Sequence, residues 1–163
     1  MKEVFVQYAT YNLWANERLL SLIENLPEAQ QKTELQSSFP SLFKTVLHLL
    51  DAESIWWQRI KLRERIERPS DNFSGDFSEL SKRLLQQNKQ WQDWVNGLNE
   101  HGFQHEFIYF NLQGERFKQP VHQTLLHLFN HGTYHRGQLV TMLRQLGVEK
   151  LPSTDFIAWS RKK

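Results

Sequence analysis

No cysteine occurs among the 163 residues, which excludes disulfides, thiolate metal sites, a cysteine nucleophile and covalent c-type haem attachment. Its absence fits a reducing compartment, and the cytoplasm is the expected location. An excess of one charge is also missing, since 20 Lys and Arg stand against 18 Asp and Glu. With no cationic face, nucleic-acid binding is not indicated. No apolar run approaches the roughly 18 residues of a membrane span. At the amino terminus Gln7, Thr10 and Asn12 interrupt any signal-peptide core. Export and membrane insertion are therefore not expected, and the length fits one domain over residues 1–163.

Helical periodicity dominates what is present. Val4, Tyr8, Tyr11, Ala15, Leu19, Leu22 and Leu26 recur at three or four residues, the spacing of one helical face. Pro27 suits the end of that helix. A polar stretch then leads to Ser41, an N-cap for a second helix carrying Leu42, Val46, Leu49, Ile55, Trp56 and Ile60. The segment around Pro69, Asn72 and Gly75 reads as a loop, and Asp76 to Glu79 has the form of a capping box. It opens a third helix with Leu80, Leu84, Trp91, Trp94 and Leu98 on its apolar side.

Beyond Gly102 the pattern alternates through Phe103, His105, Phe107 and Tyr109, and Gly114 supplies a turn before Arg116 and Phe117, which predicts a short hairpin. Pro120 restarts a helix that carries Leu125, Leu128, Phe129, Leu139, Met142 and Leu143 and stops at Gly147. The expected fold class is all-α: a four-helix bundle with a β-hairpin between helices three and four. Facing side chains of a bundle can build a metal or ligand site.

The histidines stand out against this background. Random placement of seven gives roughly 0.25 pairs at a spacing of four, yet three such pairs occur, 101/105, 127/131 and 131/135. On a helix that spacing puts two imidazoles on one face, about 6 Å apart along the axis, where they can chelate one ion. His131 and His135 sit beside Gly132 and Gly137, each costing about 1 kcal/mol relative to Ala in a helix interior. Close approach of another helix, or room for a ligand, would offset that cost. A third ligand has two candidates. His48 lies among Val46, Leu47, Leu49 and Leu50 with the small Ala52 one turn on, whereas His127 is one turn before His131. Buried histidines that merely satisfy hydrogen bonds are the plain alternative.

Other chemistries lack their motifs. No Glu-x-x-His of the carboxylate di-iron bundles involves these histidines, and there is no His-Glu-x-x-His, P-loop or Gly-x-Gly-x-x-Gly. No nucleophile elbow supports Ser-His-Asp catalysis. A non-covalent haem between two histidines is a minor alternative.

Four stretches together resemble the DinB/YfiT-like family of small helical metal-binding proteins. They are Tyr11-Asn-Leu-Trp-Ala-Asn16, His48-Leu-Leu-Asp-Ala-Glu-Ser-Ile-Trp56, Asn130-His-Gly-Thr-Tyr-His-Arg-Gly-Gln138 and Pro152-Ser-Thr-Asp-Phe156. The resemblance implies an up-down-down-up bundle, often dimeric, and a metal held by His48, His131 and His135, which decides for His48 over His127. It also implies a reaction of the kind some relatives perform, a transferase or isomerase using a low-molecular-weight thiol, and the leading expectation is a metal-dependent enzyme, either such a thiol transferase or a hydrolase. Zinc or nickel leads as the divalent ion, with iron, cobalt or manganese behind. The expected partners are a small-molecule substrate or thiol and a second copy in a homodimer. A non-catalytic metal-binding or stress-response dimer is the alternative. Arg136 is expected to pair with a carboxylate such as Asp155, to orient an anionic substrate, or to make a plain surface or inter-helix salt bridge. Trp14, Trp56, Trp91 and Trp94 are expected in the core or a pocket wall. Asp51 and Glu53 are expected to point away from the His48 face, and neither is assigned as a general base.

Overall fold

The computed structural model describes residues 1–161; Lys162 and Lys163 of the expected 1–163 domain lie outside the described residues. In chain order the elements are α1 (Lys2–Glu24), α2 (Glu28–Lys32), α3 (Leu42–Ile60), α4 (Phe77–Gly97), α5 (Glu100–Gln104), β1 (Glu106–Phe110), β2 (Arg116–Pro120), α6 (Val121–Gln145) and α7 (Phe156–Ser160), with one 3-10 turn at Pro69–Asp71. The four long helices begin and end where the local chemistry dictates. Ser41 accepts from the Lys44 amide at 3.0 Å to cap α3, and Asp76 accepts from the Glu79 amide at 2.9 Å to cap α4. After α6, Gly147 has φ +82° and the Val148 amide reaches back to the Leu143 carbonyl at 3.0 Å. This is the left-handed glycine closure that the end of α6 predicted.

Contacts between helices give their directions. Thr10 and Asn16 of α1 bond Gln92 and Asn88 of α4, so those helices run antiparallel. Phe43 packs on Phe77 and Trp57 on Trp94, making α3 and α4 parallel. His48 and Trp56 of α3 meet His131 and His127 of α6 in opposite order, whereas Tyr8 and Asn12 of α1 meet Phe129 and Arg136 in the same order. The bundle is therefore up-down-down-up. A long connection between α3 and α4 follows necessarily, because two neighbouring helices pointing the same way cannot be joined by a tight turn. The hairpin sits in the last connection, antiparallel, with Phe107 opposite Gln119 and Tyr109 opposite Phe117.

Among the described residues two large apolar clusters fill the bundle, and a small third one joins Tyr11 and Ala15 to Trp159. One gathers Leu19, Ile23, Leu49, Leu84 and Leu139; the other gathers Phe5, Trp91, Phe103, Leu125 and Phe129. Between them, at mid-height of every long helix, the buried side chains are polar: Asn12 and Asn16 of α1, Glu53 of α3, Asn88 of α4 and Arg136 of α6.

Several local expectations need correction. The buried face of α1 runs through Phe5, Ala9, Asn12, Asn16, Leu19 and Ile23, and Val4 is 53% exposed. Reading only apolar residues shifted that stripe, because two of its inward positions are asparagines. The polar stretch after Pro27 contains α2, whose Gln31 is buried against the Ile23 and Leu26 carbonyls. Phe103 belongs to α5, capped by Asn99, and the strand begins at Glu106. Trp91 is in the core, Trp56 and Trp94 are half-buried, and Trp14 packs against Tyr11.

Candidate metal centre

His48 projects from the middle of α3 toward α6, and His131 and His135 project from successive turns of α6 toward α3. The three rings converge. Nε2 of His131 lies 3.0 Å from Nε2 of His48 and 3.0 Å from Nε2 of His135, and their ring centroids are 4.3 to 4.9 Å apart. Among the described residues this is the group of His, Asp or Glu side chains with ligand atoms close enough to share one ion. His127 is exposed and its ring centroid is 5.8 Å from that of His131, outside the group. His101 and His105 sit at α5, and His122 bonds the Phe103 carbonyl through Nδ1.

The proton inventory shows what the cluster suits. Nδ1 of His135 meets Oε1 of Gln138 at 2.7 Å. An amide oxygen only accepts, so Nδ1 carries the proton and Nε2 of His135 presents a lone pair. Two neighbouring Nε2 atoms then face a single Nε2 of His131, which has either one proton or one lone pair to offer. Three imidazoles cannot satisfy one another in this arrangement. A divalent cation accepts all three lone pairs, and metal–nitrogen bonds of about 2.0–2.1 Å bring neighbouring nitrogens to roughly 3–3.4 Å. The residues present therefore fit such an ion.

Electrostatics points the same way. Burial pushes His48 down from 6.5 to about 4, with His135 adding repulsion and Asp51 opposing it. Burial and repulsion from the other histidines push His131 down from 6.5 to about 3, and burial lowers His135. Each ring is thus held neutral, the form that binds metal. Phe39 stacks on His48 at 3.8 Å and meets His135 edge-on at 5.7 Å, closing the cluster on the α2–α3 side.

Behind the triad the mid-height polar residues form a closed ring of hydrogen bonds. Asn12 donates to Glu53 Oε1 at 3.2 Å and accepts from Arg136 Nη1 at 2.6 Å. Arg136 Nη1 also donates to Asn16 at 3.2 Å, Asn16 donates to Asn88 at 2.8 Å, and Asn88 donates to Glu53 Oε2 at 2.6 Å. Arg136 is buried, bonds Thr133 as well and lies over the Tyr11 ring. It does not pair with Asp155, whose carboxylate accepts from Ser153. Burial raises Glu53 from 4.5 to about 7 against the pull of both asparagines and Arg136.

Asp51 also departs from expectation. It lines the same cavity as His48, with its carboxylate held by the backbone amide and hydroxyl of Ser70. The reason is its position three residues on, which shares a helical side. Asn12, Asn16 and Asn88 were missed as site-supporting residues. Their signal was present, because each falls at core spacing in an otherwise apolar stripe.

A profile of the DinB family matches residues 1–162. The chain belongs to the DinB family. It is 30% identical to Protein DinB of Bacillus subtilis (strain 168) over 165 residues, covering 90% of this chain and 87% of that one. Its fold is similar to a DinB-like protein from Bacillus cereus ATCC 10987, with TM-score 0.70 and 18% identity over 93% of this chain and 95% of that chain. It is also similar to YfiT from Bacillus subtilis, with TM-score 0.71 and 17% identity over 90% of each chain; that protein is described as a probable metal-dependent hydrolase with an unusual four-helix bundle topology. The four family stretches now have physical roles. Tyr11 donates to the Thr154 carbonyl at 2.6 Å and packs on Phe156, which pins the last stretch to α1. The second and third stretches carry the triad. Among the described residues, no helix is long and apolar enough to cross a membrane.

Proposed function

We propose that this DinB-family chain is a metal-dependent enzyme acting on a small molecule, of the hydrolase or thiol-transferase class, with His48, His131 and His135 as the ligands of one divalent ion. The observation that carries the reading is the convergence of three neutral imidazoles beside an open cavity of about 510 Å³, of which His48 and Phe39 are part of the lining. That volume is in the range of small-molecule sites. A buried, ligand-saturated ion without access would instead suit storage or a structural role.

A bound divalent ion supplies Lewis acidity, which lowers the pKa of a coordinated water or thiol. The protein's own side chains do the rest. Gln138 holds the Nδ1 proton of His135 and is itself held by Ser38 and Tyr134, which keeps Nε2 free and aimed. Phe39 shields the His48 ring from water. Ala52, Ile55 and Trp56 give the cavity an apolar wall for the substrate body. YfiT's description as a probable metal-dependent hydrolase supports the hydrolase class, and the DinB relationship leaves thiol transfer equally available.

Elemental analysis of tag-free protein, followed by a panel of esters, amides and electrophiles with several low-molecular-weight thiols, tests the reading. About one ion per chain and turnover with one panel member are expected. Individual His48→Ala, His131→Ala and His135→Ala variants should lose the ion, while His127→Ala and His101→Ala keep it. Retention of the ion by folded His48→Ala with loss in His127→Ala overturns the ligand set. Zinc or nickel is proposed as the ion on ligand chemistry alone. A cytoplasmic location belongs to the same proposal, supported by the cysteine-free composition. So does a homodimer, supported by the exposed Tyr8, Leu126, Tyr134 and Ile157. Light scattering that gives a concentration-independent monomer removes the dimer.

A further inference from the structure

The cavity beside His48 runs along one side of α3. His48, Ala52, Ile55 and Arg59 recur at four, three and four residues and all line it, so they form one stripe about 16 Å long between its end residues. The far end carries an anomaly. Arg59 is half-buried, and its Nε is buried without a hydrogen-bond partner. Its guanidinium lies over the rings of Trp56 at 4.7 Å and Tyr109 at 5.3 Å. Among the described residues no carboxylate forms an ion pair with it, although Glu64 lines a neighbouring cavity with it. Arg68, which lines the same cavity, is by contrast neutralised by Asp71 at 2.8 Å. A partly buried guanidinium whose Nε–H lacks an acceptor is costly, and stacking on two rings fixes its plane without satisfying that N–H.

We propose that Arg59 is the anchor for a carboxylate at one end of the substrate, whose apolar middle lies over Ala52, Ile55 and Trp56 and whose reacting group sits at His48. A carboxylate matches the planar fork of a guanidinium with two parallel bonds. One unneutralised cation at that end balances one negative charge, which favours a carboxylate over a doubly charged phosphate. Lys44 is a full turn before His48, at the opposite end, and the one carboxylate lining the cavity, Asp51, is tied to Ser70 near His48 and so does not oppose an anion at Arg59. The assignment rests on the cavity being the substrate cavity of the proposed enzyme, and it adds the substrate's chemical class.

Calorimetric titration of mercaptohexanoate and of uncharged mercaptohexanol into zinc-loaded and metal-free protein separates the two claims. Both probes share a thiol and an apolar chain and differ in the terminal charge. The carboxylate is expected to bind at least about tenfold more tightly to wild-type protein, the worth of a charge-assisted hydrogen bond. Arg59→Gln should abolish that preference, and Arg59→Lys, which keeps charge and stem, should retain part of it. Equal affinities in wild-type protein overturn the Arg59 assignment, as does a preference that survives unchanged in folded Arg59→Gln. If Arg59→Gln does not fold, a reduced but remaining preference in Arg59→Lys supports the assignment and an unchanged one overturns it, and the wild-type pair still decides the charge requirement. Zinc-dependent strengthening of both thiols reports on the metal site separately. Its absence, with the carboxylate preference intact, sinks the metal reading and leaves the anion site standing.

Discussion

Asn12 stands between Glu53 and Arg136, donating to the carboxylate at 3.2 Å and accepting from the guanidinium at 2.6 Å. The acid and the base are thereby coupled without a direct ion pair. Asn16 and Asn88 close the other half of the ring, so all four long helices meet in one polar layer. Hydrogen bonds are directional where apolar packing is not, and the layer fixes the relative height of α3 and α6, hence the approach of His48 to His131 and His135.

This coupling predicts that Asn12→Leu destabilises the protein by about 1–3 kcal/mol, because it strands a carboxylate oxygen and a guanidinium N–H in the core. Arg136→Met should cost more, about 3–5 kcal/mol, since it removes the positive charge from a layer that still contains Glu53. Denaturant unfolding of both variants measures the effect. A loss below about 0.5 kcal/mol in either, the range of an inert surface change, would show that the layer does not hold the bundle together.

Two glycines in α6 separate packing from propensity. A Cβ at Gly132 would lie 2.9 Å from Asn12 Oδ1 and 3.1 Å from Arg136 Nη1, whereas at Gly137 nothing lies within 4 Å. Gly132→Ala should therefore destabilise the protein by pushing the Asn12–Arg136 bond apart. Gly137→Ala should stabilise it by about 1 kcal/mol through helix propensity. Thermal melts of the two variants should move in opposite directions, and a shift of the same sign in both refutes the distinction.

The contrast also shows how far the sequence could be read. Caps at Ser41 and Asp76, the closure at Gly147 and the hairpin were legible because each has a local residue signature. His131 and His135 were legible from their spacing on one helix. His48 was one of two candidates until family resemblance separated it from His127, since the meeting of α3 and α6 is a tertiary fact without a local code. The polar layer was harder still. Asn12 and Asn16 occupy core spacing on α1, but only the structure shows that they face Glu53 and Arg136 and not water. Arg136 was expected near Asp155, yet an arginine that close to the bundle axis finds its acceptors on α1.

Gln138 is expected to act on the metal through His135. Gln138→Leu removes the acceptor that keeps the proton on Nδ1, so the ring can protonate Nε2 instead. Loss of such an outer partner weakens metal binding by about 10–100-fold. Competition titration with a zinc chelator measures this, and Gln138→Glu, which still accepts from Nδ1, should restore affinity. Unchanged affinity in Gln138→Leu would mean that His135 is oriented by packing against Phe39 alone.

Two opposing pH effects act on the stability of the metal-free protein. His48 and His131 titrate near 6.5 when unfolded and at about 4 and about 3 when folded, and His135 is lowered in the same direction. Between those values the unfolded chain binds more protons, so stability falls as pH drops from 6.5 toward 4. Glu53 has the reverse sign. Its folded value of about 7 exceeds the ordinary 4.5, so its contribution is full below 4.5 and is lost as pH rises through 7. Where the windows overlap, three histidines oppose one carboxyl and the acid limb should dominate. Above 6.5 the fading histidine effect and the Glu53 effect nearly cancel among these four groups, so stability should still rise through 6.5 and level off above about 7. Urea unfolding of metal-free protein across this range is the check. His131→Phe should flatten the acid limb, whereas Glu53→Gln, which removes the opposing effect between 4.5 and 7, should steepen it. A stability that is flat from 4 to 6.5 in wild-type protein would contradict the lowered histidine values and, with them, the neutral triad on which metal binding depends.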